Sequence, residues 1–307
     1  MDNLTHSLVG AVMGRMGLKR LSPRAMPALI ISANLPDIDS FVAHWFGTTA
    51  RTFHRGFTHG IGGLFTLPFL VTAIILLWEK LLPGKEGPIK LGGLILACFL
   101  GTLSHPALDF LNTYGVRLLE PFSHRWFYGD TLFIMDPWIW LMLILGLEYS
   151  WRAERLNRNW QRPAAWAFAA MLGYIGLNAA ISARAVAATR PLIERVAAPR
   201  MIVAGEVPLL FWKRQVMWRG DRVGGPAEFN VLSGIAGLDP RVVPLNLDDP
   251  RLAKSAREDR DVCSFLFWSR MPLVIDVDGR AYLSDQRFPA LRRTTFMVPL
   301  DNPRPSS

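Results

Sequence analysis

Four apolar runs, at about 57–82, 91–111, 132–150 and 164–188, each reach the roughly 18–20 residues that a helix needs to cross a hydrocarbon core of about 30 Å. In lipid every backbone polar group must be satisfied inside its own segment, which leaves helices or a closed barrel. The length of the runs selects helices. Half of the 307 residues are hydrophobic and 19% are charged, as expected where part of the apolar surface faces lipid. The expectation is a mainly α fold: a polytopic membrane helical domain over 1–189, followed by a β-rich soluble domain over 190–307.

The formal charge of +9 does not point to nucleic acid, because the Lys and Arg residues are scattered among apolar runs rather than gathered in a stripe. Cys98 and Cys263 are far apart in different surroundings, so a disulfide framework is not expected. The first residues show neither a positive n-region nor a small-residue cleavage site, and a removed signal peptide is not expected. Two shorter apolar pieces, LTHSLVGAVMGRMG (4–17) and AMPALIISANLP (25–36), are too short to cross comfortably at about 1.5 Å per residue. They read as a helical hairpin embedded among the longer helices.

Lys and Arg in short loops set the orientation. Lys19, Arg20 and Arg24 lie in one loop, Lys80, Lys85 and Lys90 in or beside a second, and Arg152, Arg155, Arg158 and Arg162 in a third. These belong on the cytoplasmic side. The alternate connections hold Arg51 and Arg55, then Arg117 and Arg125. Arg184, Arg190 and Arg195 run against the rule.

That topology places His6, Asp37, Asp39, His54, His59, His105 and Asp109 on one side, although none of them was used to derive it. SHPALD sets His105 and Asp109 at i and i+4, about 6 Å apart on one helical face. PDID sets Asp37 and Asp39 at i and i+2, and HRGFTH sets His54 and His59 at the mouth of an apolar run. Nitrogen and oxygen donors without thiolates suit Zn, Mn or Fe, with one ion or more than one. Singly each motif has a plainer reading: a packed histidine, a helix-ending turn, a headgroup anchor. An ionisable pair inside a membrane run is harder to explain that way, since such groups cost several kcal/mol unless paired or functional. His44, beside Trp45 and Phe46, reads as interfacial.

With these motifs in hand the chain resembles the membrane-bound metal-dependent hydrolases of the bacterial inner membrane, a group that includes LexA-binding, inner-membrane-associated hydrolases. The resemblance is close over about 1–150, through DNLTHSLVGA, NLPDIDS, HRGFTH, SHPALDFLNTYGVRLLEPFSHRWFYGD and FIMDPWIW. It continues loosely through FWKRQVMWRGDR and WSRMPLVIDVDGRAYLSDQRF. It implies a metal-dependent hydrolase in that membrane, with the seven residues named above as its site.

The stretch between the fourth and fifth segments adds Arg117, His124, Arg125, Asp130 and Asp136 to the same side, as a lid or substrate-binding loop or as an interfacial loop with an aromatic belt. Arginines there would suit a phosphate or other anion. Beyond 190, strand-like alternation and a DG turn in PLVIDVDGRAYLSD signal sheet and a hairpin, and 239–250 reads as a loop.

The expected chemistry is metal-assisted hydrolysis at the membrane surface, on a phosphoester or another lipid-like, amphiphilic substrate. Asp39 would take the proton and Arg55 stabilise developing negative charge. A transporter and a non-enzymatic membrane adaptor are the competing classes. Transport sites usually sit near the midplane, whereas the centres of 57–82, 132–150 and 164–188 carry no charge.

Overall fold

The computed structural model describes residues 1–40, 54–288 and 296–300; His44 and Arg51 lie outside them. The described residues form two units, one of 1–40 with 54–178 and a second of 179–288 with 296–300. The division falls within one long helix.

The first unit begins with α1 (Asn3–Arg15), whose N-terminus is capped by the Asp2 carboxylate accepting from the amides of Leu4 and Thr5. The chain then turns into α2 (Ala25–Asn34). These are the two short pieces, and both are internal. Gly10 and Gly101 let the backbones come close, because a Cβ on Gly10 would lie 3.1 Å from the Leu29 carbonyl oxygen and one on Gly101 would lie 2.7 Å from it. Small residues at such crossings are a common device for packing helices in lipid. Here they hold α2 against both α1 and α4.

The longer helices follow: α3 (Ile61–Leu81), α4 (Leu91–Phe110), α5 (Pro137–Arg155) and α6 (Gln161–Glu194). Three of them, α3, α4 and α6, are long and apolar enough to cross a membrane. The fourth expected span, 132–150, is corrected. Its helix starts only at Pro137, with Asp136 as N-cap, and its last turns carry Glu148, Arg152, Glu154 and Arg155. Three of those charges are used internally or along the helix: Glu154 pairs with Arg15 and with Lys19 (2.7 Å), and Glu148 with Arg152 (2.7 Å).

The Lys- and Arg-rich connections meet at one end of this unit. Arg24 reaches Glu79 at 2.8 Å, the Lys90 amide donates to Ser22 Oγ at 3.0 Å, and Gln161 Nε2 donates to the Met16 carbonyl at 3.2 Å. Arg15, Lys19 and Arg20 all lie over the Trp160 ring. The starts of α1, α3 and α5 and the ends of α2 and α4 therefore share the opposite end, the arrangement expected from the loop charges.

The second unit contains a five-stranded antiparallel sheet in the order β1 (Met201–Glu206), β2 (Lys213–Arg219), β3 (Val223–Asn230) and β4 (Ile235–Leu238), with β5 (Val243–Pro244) on β3, and a three-stranded sheet of β6 (Pro272–Val277), β7 (Arg280–Asp285) and β8 (Met297–Pro299). Ala185 of α6 packs with Ala204, Val216, Ala227 and Phe229 of the first sheet. The expected hairpin is present: β6 (Pro272–Val277) pairs with β7 (Arg280–Asp285) around Asp278 and Gly279. Both turn residues have positive φ (53° and 77°), as a two-residue type I′ turn requires. The loop reading of 239–250 is amended. It contains β5 (Val243–Pro244), and at Pro250 begins α7 (Pro250–Glu258), with α8 (Arg260–Trp268) after it. Both cysteines are free.

Candidate metal centre

Each histidine and carboxylate of the site sits where a helix of the first unit starts or ends. Asp37 closes the turn Leu35–Asp37 after α2, and His59 closes the turn Phe57–His59 before α3. His105 and Asp109 occupy the last turns of α4, and His6 the first turns of α1. His6, His59, His105 and Asp109 are fully buried, and the Asp37 side chain is 17% exposed.

Four side chains converge on one point. His59 Nε2 and His105 Nε2 are 3.1 Å apart. Asp37 Oδ1 lies 3.4 Å from the first and 3.3 Å from the second, and Asp109 Oδ2 lies 3.4 and 3.7 Å from them. The hydrogen bonds behind the rings fix what these nitrogens are. His105 Nδ1 is 2.7 Å from the Ala33 carbonyl, which can only accept, so Nδ1 carries the proton and the neutral ring presents a bare Nε2. Thr58 Oγ1 gives its proton to Asp39 Oδ2 (2.6 Å) and receives that of His59 Nδ1 (3.0 Å). Its Nε2 is bare too. Two lone pairs and two carboxylates then face one another, a repulsive arrangement unless a cation or added protons sit between them.

The spacing fits a cation. Four N and O donors at about 2.0–2.2 Å from a tetrahedral zinc ion stand about 3.3–3.6 Å from each other, and these contacts scatter closely about that range, from 3.1 to 3.7 Å. Asp109 Oδ2 makes no hydrogen bond although it is buried. Asp37, His59, His105 and Asp109 could thus hold a metal ion.

Asp39, His54 and His59 form a second group, with a different character. Asp39 Oδ1 is 2.6 Å from His54 Nδ1, and Oδ2 accepts from Thr58 and from the Arg55 amide at 3.1 Å. These are hydrogen-bond lengths, and both oxygens are occupied. Burial alone would raise the Asp39 carboxyl, but the bonds from His54 and His59 outweigh it and hold it well below the usual carboxylate range. The pattern is that of a carboxylate which orients a histidine from behind. His54 is 29% exposed, so the group opens toward the surface.

Arg55 sits in the left-handed region (φ 60°), which turns its side chain inward. Its Nε is 3.3 Å from Asp109 Oδ2, and its Nη1 donates to Asn112 Oδ1 (2.9 Å) and to the Gly115 carbonyl (3.2 Å). Burial brings its pKa down to about 10, which leaves it charged at neutral pH. His6 stacks on His105 with centroids 3.8 Å apart, and its Nε2 is 3.5 Å from Asp109 Oδ1, to which the Met1 amino group also donates.

All seven expected ligands come together. The five residues expected to meet substrate divide. Arg117 is buried against Glu120 (2.8 Å), and Asp136 is buried as the N-cap of α5 and accepts from Tyr174 Oη at 3.0 Å. His124 is bonded to Glu120 (2.7 Å) yet 70% exposed, Arg125 is exposed over the Phe127 ring, and Asp130 has positive φ in the loop. Thr58, Asn112 and Glu120 belong to the site and carried no separate signal. Thr58 stands inside HRGFTH, and Asn112 follows Asp109 by three residues.

A helical bundle with buried ionisable groups at one end and membrane-length helices is the anatomy of an integral membrane protein with a polar site near one surface. The chain belongs to the YdjM inner membrane protein family, whose model matches residues 1–185. The inner membrane protein YbcI of Escherichia coli (strain K12) is 31% identical over 180 residues, which cover 48% of this chain and 96% of that one. An uncharacterized protein of Bacillus subtilis (strain 168), YfhP, is 26% identical over 151 residues, 46% of this chain and 43% of its own. The chain thus spans less than half the length of the Bacillus relative. No solved structure matches at a significant level. The family bears out the inner-membrane part of the resemblance read from the motifs.

Proposed function

We propose that the protein is a metal-dependent hydrolase of the inner membrane, acting on an amphiphilic substrate at the membrane surface, with a phosphoester as the first candidate bond. The observation that carries this reading is the meeting of two bare imidazole nitrogens and two carboxylates at 3.1–3.7 Å at one end of the bundle. Asp37, His59, His105 and Asp109 would hold a divalent transition metal, zinc first and Mn or Fe next. Such an ion lowers the pKa of bound water toward about 7 and polarises the bond to be cleaved.

The chain's own residues prepare that chemistry. The Ala33 carbonyl and Thr58 hold the Nδ1 protons of His105 and His59, which keeps both Nε2 lone pairs inward. Asp39 acts as a positioning residue rather than the base first expected, because its oxygens already take protons from His54 and Thr58 and from the Arg55 amide. Arg55 balances the charge of Asp109 and is held by Asn112. His124 and Arg125, on the exposed part of the loop, are placed to meet an anionic headgroup.

The removal of Asp39's charge in Asp39→Asn is expected to weaken metal binding about 10–100-fold, read by chelator competition with the fold intact by circular dichroism. Unchanged affinity would remove Asp39 from the site. The activity itself is tested with purified, metal-loaded protein in nanodiscs against a panel of phosphodiesters, phosphomonoesters and acyl esters. Hydrolysis that the wild type performs and His105→Ala does not supports the proposal. Equal turnover by both overturns it.

A further inference from the structure

His6 is left unexplained by a single ion in the quartet. It is fully buried, and neither of its ring nitrogens has a hydrogen-bond partner. One nitrogen of a neutral imidazole donates and the other accepts, so the buried ring has neither need met by a protein group. Buried polar groups are nearly always satisfied, and an exception calls for a cause. Its neighbours are no substitute. The face of the ring is occupied by His105, stacked at an interplanar angle of 15°. The nearest acidic atom is Asp109 Oδ1, at 3.5 Å from Nε2, too long for a strong hydrogen bond and within the spread of 3.1–3.7 Å seen among the quartet's donors.

Asp109 divides its two oxygens. Oδ2 joins His59 and His105 in the quartet, whereas Oδ1 turns to His6 and the Met1 amino group. A carboxylate that offers one oxygen to each of two neighbouring donor sets is the usual bridge of a two-metal hydrolytic site, in which the ions stand about 3.5–4 Å apart. The Met1 amino group donates a hydrogen bond to Oδ1 but nothing to His6. A divalent cation in its place serves both.

We propose that the centre is dinuclear: a second divalent cation binds between His6 and Oδ1 of Asp109, with Asp109 bridging it to the ion of the quartet. This rests on the reading of the quartet as a metal site. The second ion has fewer protein donors than the first, so it is the one left open to water and substrate and the one more easily lost. It suits a substrate that brings its own oxygen ligand, as a phosphoester does.

The test is metal content and spectroscopy of the full chain in detergent, loaded with Mn(II) and desalted without chelator. The wild type is expected to hold two equivalents and to give the broadened electron paramagnetic resonance spectrum of a coupled pair. His6→Phe keeps a ring to stack on His105 and removes both nitrogens. It is expected to hold one equivalent, with the six-line spectrum of an isolated ion. His6→Asn, smaller and polar, guards against a packing failure of the first variant and is expected to behave likewise. One equivalent in the wild type, unchanged in both variants, overturns the second site and leaves the quartet standing. No bound ion in any of the three overturns the quartet as well.

Discussion

Replacing His105 and Asp109 together by alanine is expected to abolish metal binding while the protein still inserts and folds. The pair supplies two of the four converging donors, and Asp109 also carries the ion pair with Arg55. Binding free energies for tetrahedral zinc sites are on the order of 10 kcal/mol, and two ligands of four take most of that with them. Insertion depends instead on the apolar length of α3, α4 and α6; α3 and α6 are unchanged, and the two alanines leave α4 no less apolar. The expected result is protein recovered from the membrane fraction at a level near wild type, with metal below about a tenth of an equivalent. Retention of a full equivalent would make the i, i+4 pair a structural contact.

A periplasm-active reporter fused after residue 200 is expected to be active, and a cytoplasm-active one silent. Lys19, Arg24, Lys90 and Arg155 lie in or beside connections that the structure gathers at one end of the first unit. At the other end lie Arg55 and Arg117, engaged with Asp109 and Glu120, and the exposed Arg125, fewer Lys and Arg residues than the first end carries. On the orientation that the loop charges predict, the candidate metal centre lies on the periplasmic side. The opposite pattern of reporter activity would place it in the cytoplasm and move the search for substrate from envelope lipids and their precursors to cytosolic phosphoesters. The quartet would be unaffected, since inverting the chain keeps its members together.

The site was largely legible because helix ends are where sequence spacing and position in space agree. His105 and Asp109 share a face through the helical repeat alone, and topology brought Asp37 and His59 to the same level. The division of labour was not legible. Whether Asp39 binds an ion or orients His59 depends on Thr58 and on the Arg55 amide, and neither a hydroxyl nor a backbone group leaves a spacing to read. The tautomer of His105 depends on the Ala33 carbonyl, which Gly101 brings near by letting α2 approach α4. Arg117 and Asp136 have partners in the fold, Glu120 and Tyr174, of which the second is 38 residues from Asp136 in the chain and leaves no spacing to read.

The fold shows the same limit. Apolar length identified α3, α4 and α6, and the DG turn identified the β6–β7 hairpin. The run 132–150 misled because its first residues form the loop and N-cap that lead into α5, while charges at the far end of α5 pair inside the bundle. In the second unit α7 and α8 lie in a stretch rich in Arg and Asp whose helical character rests on local capping, Asp249 for the first and Asp259 for the second. An interrupted polar sequence hides two short helices more easily than it hides one long one.

The account rests on the quartet holding an ion, and elemental analysis of the wild-type protein tests that most directly. Protein expressed without added metal and purified in detergent without chelator or a polyhistidine tag is predicted to contain at least one equivalent of Zn, Mn or Fe per chain. Less than about a tenth of an equivalent of every one of these, both as purified and after incubation with each, would contradict it.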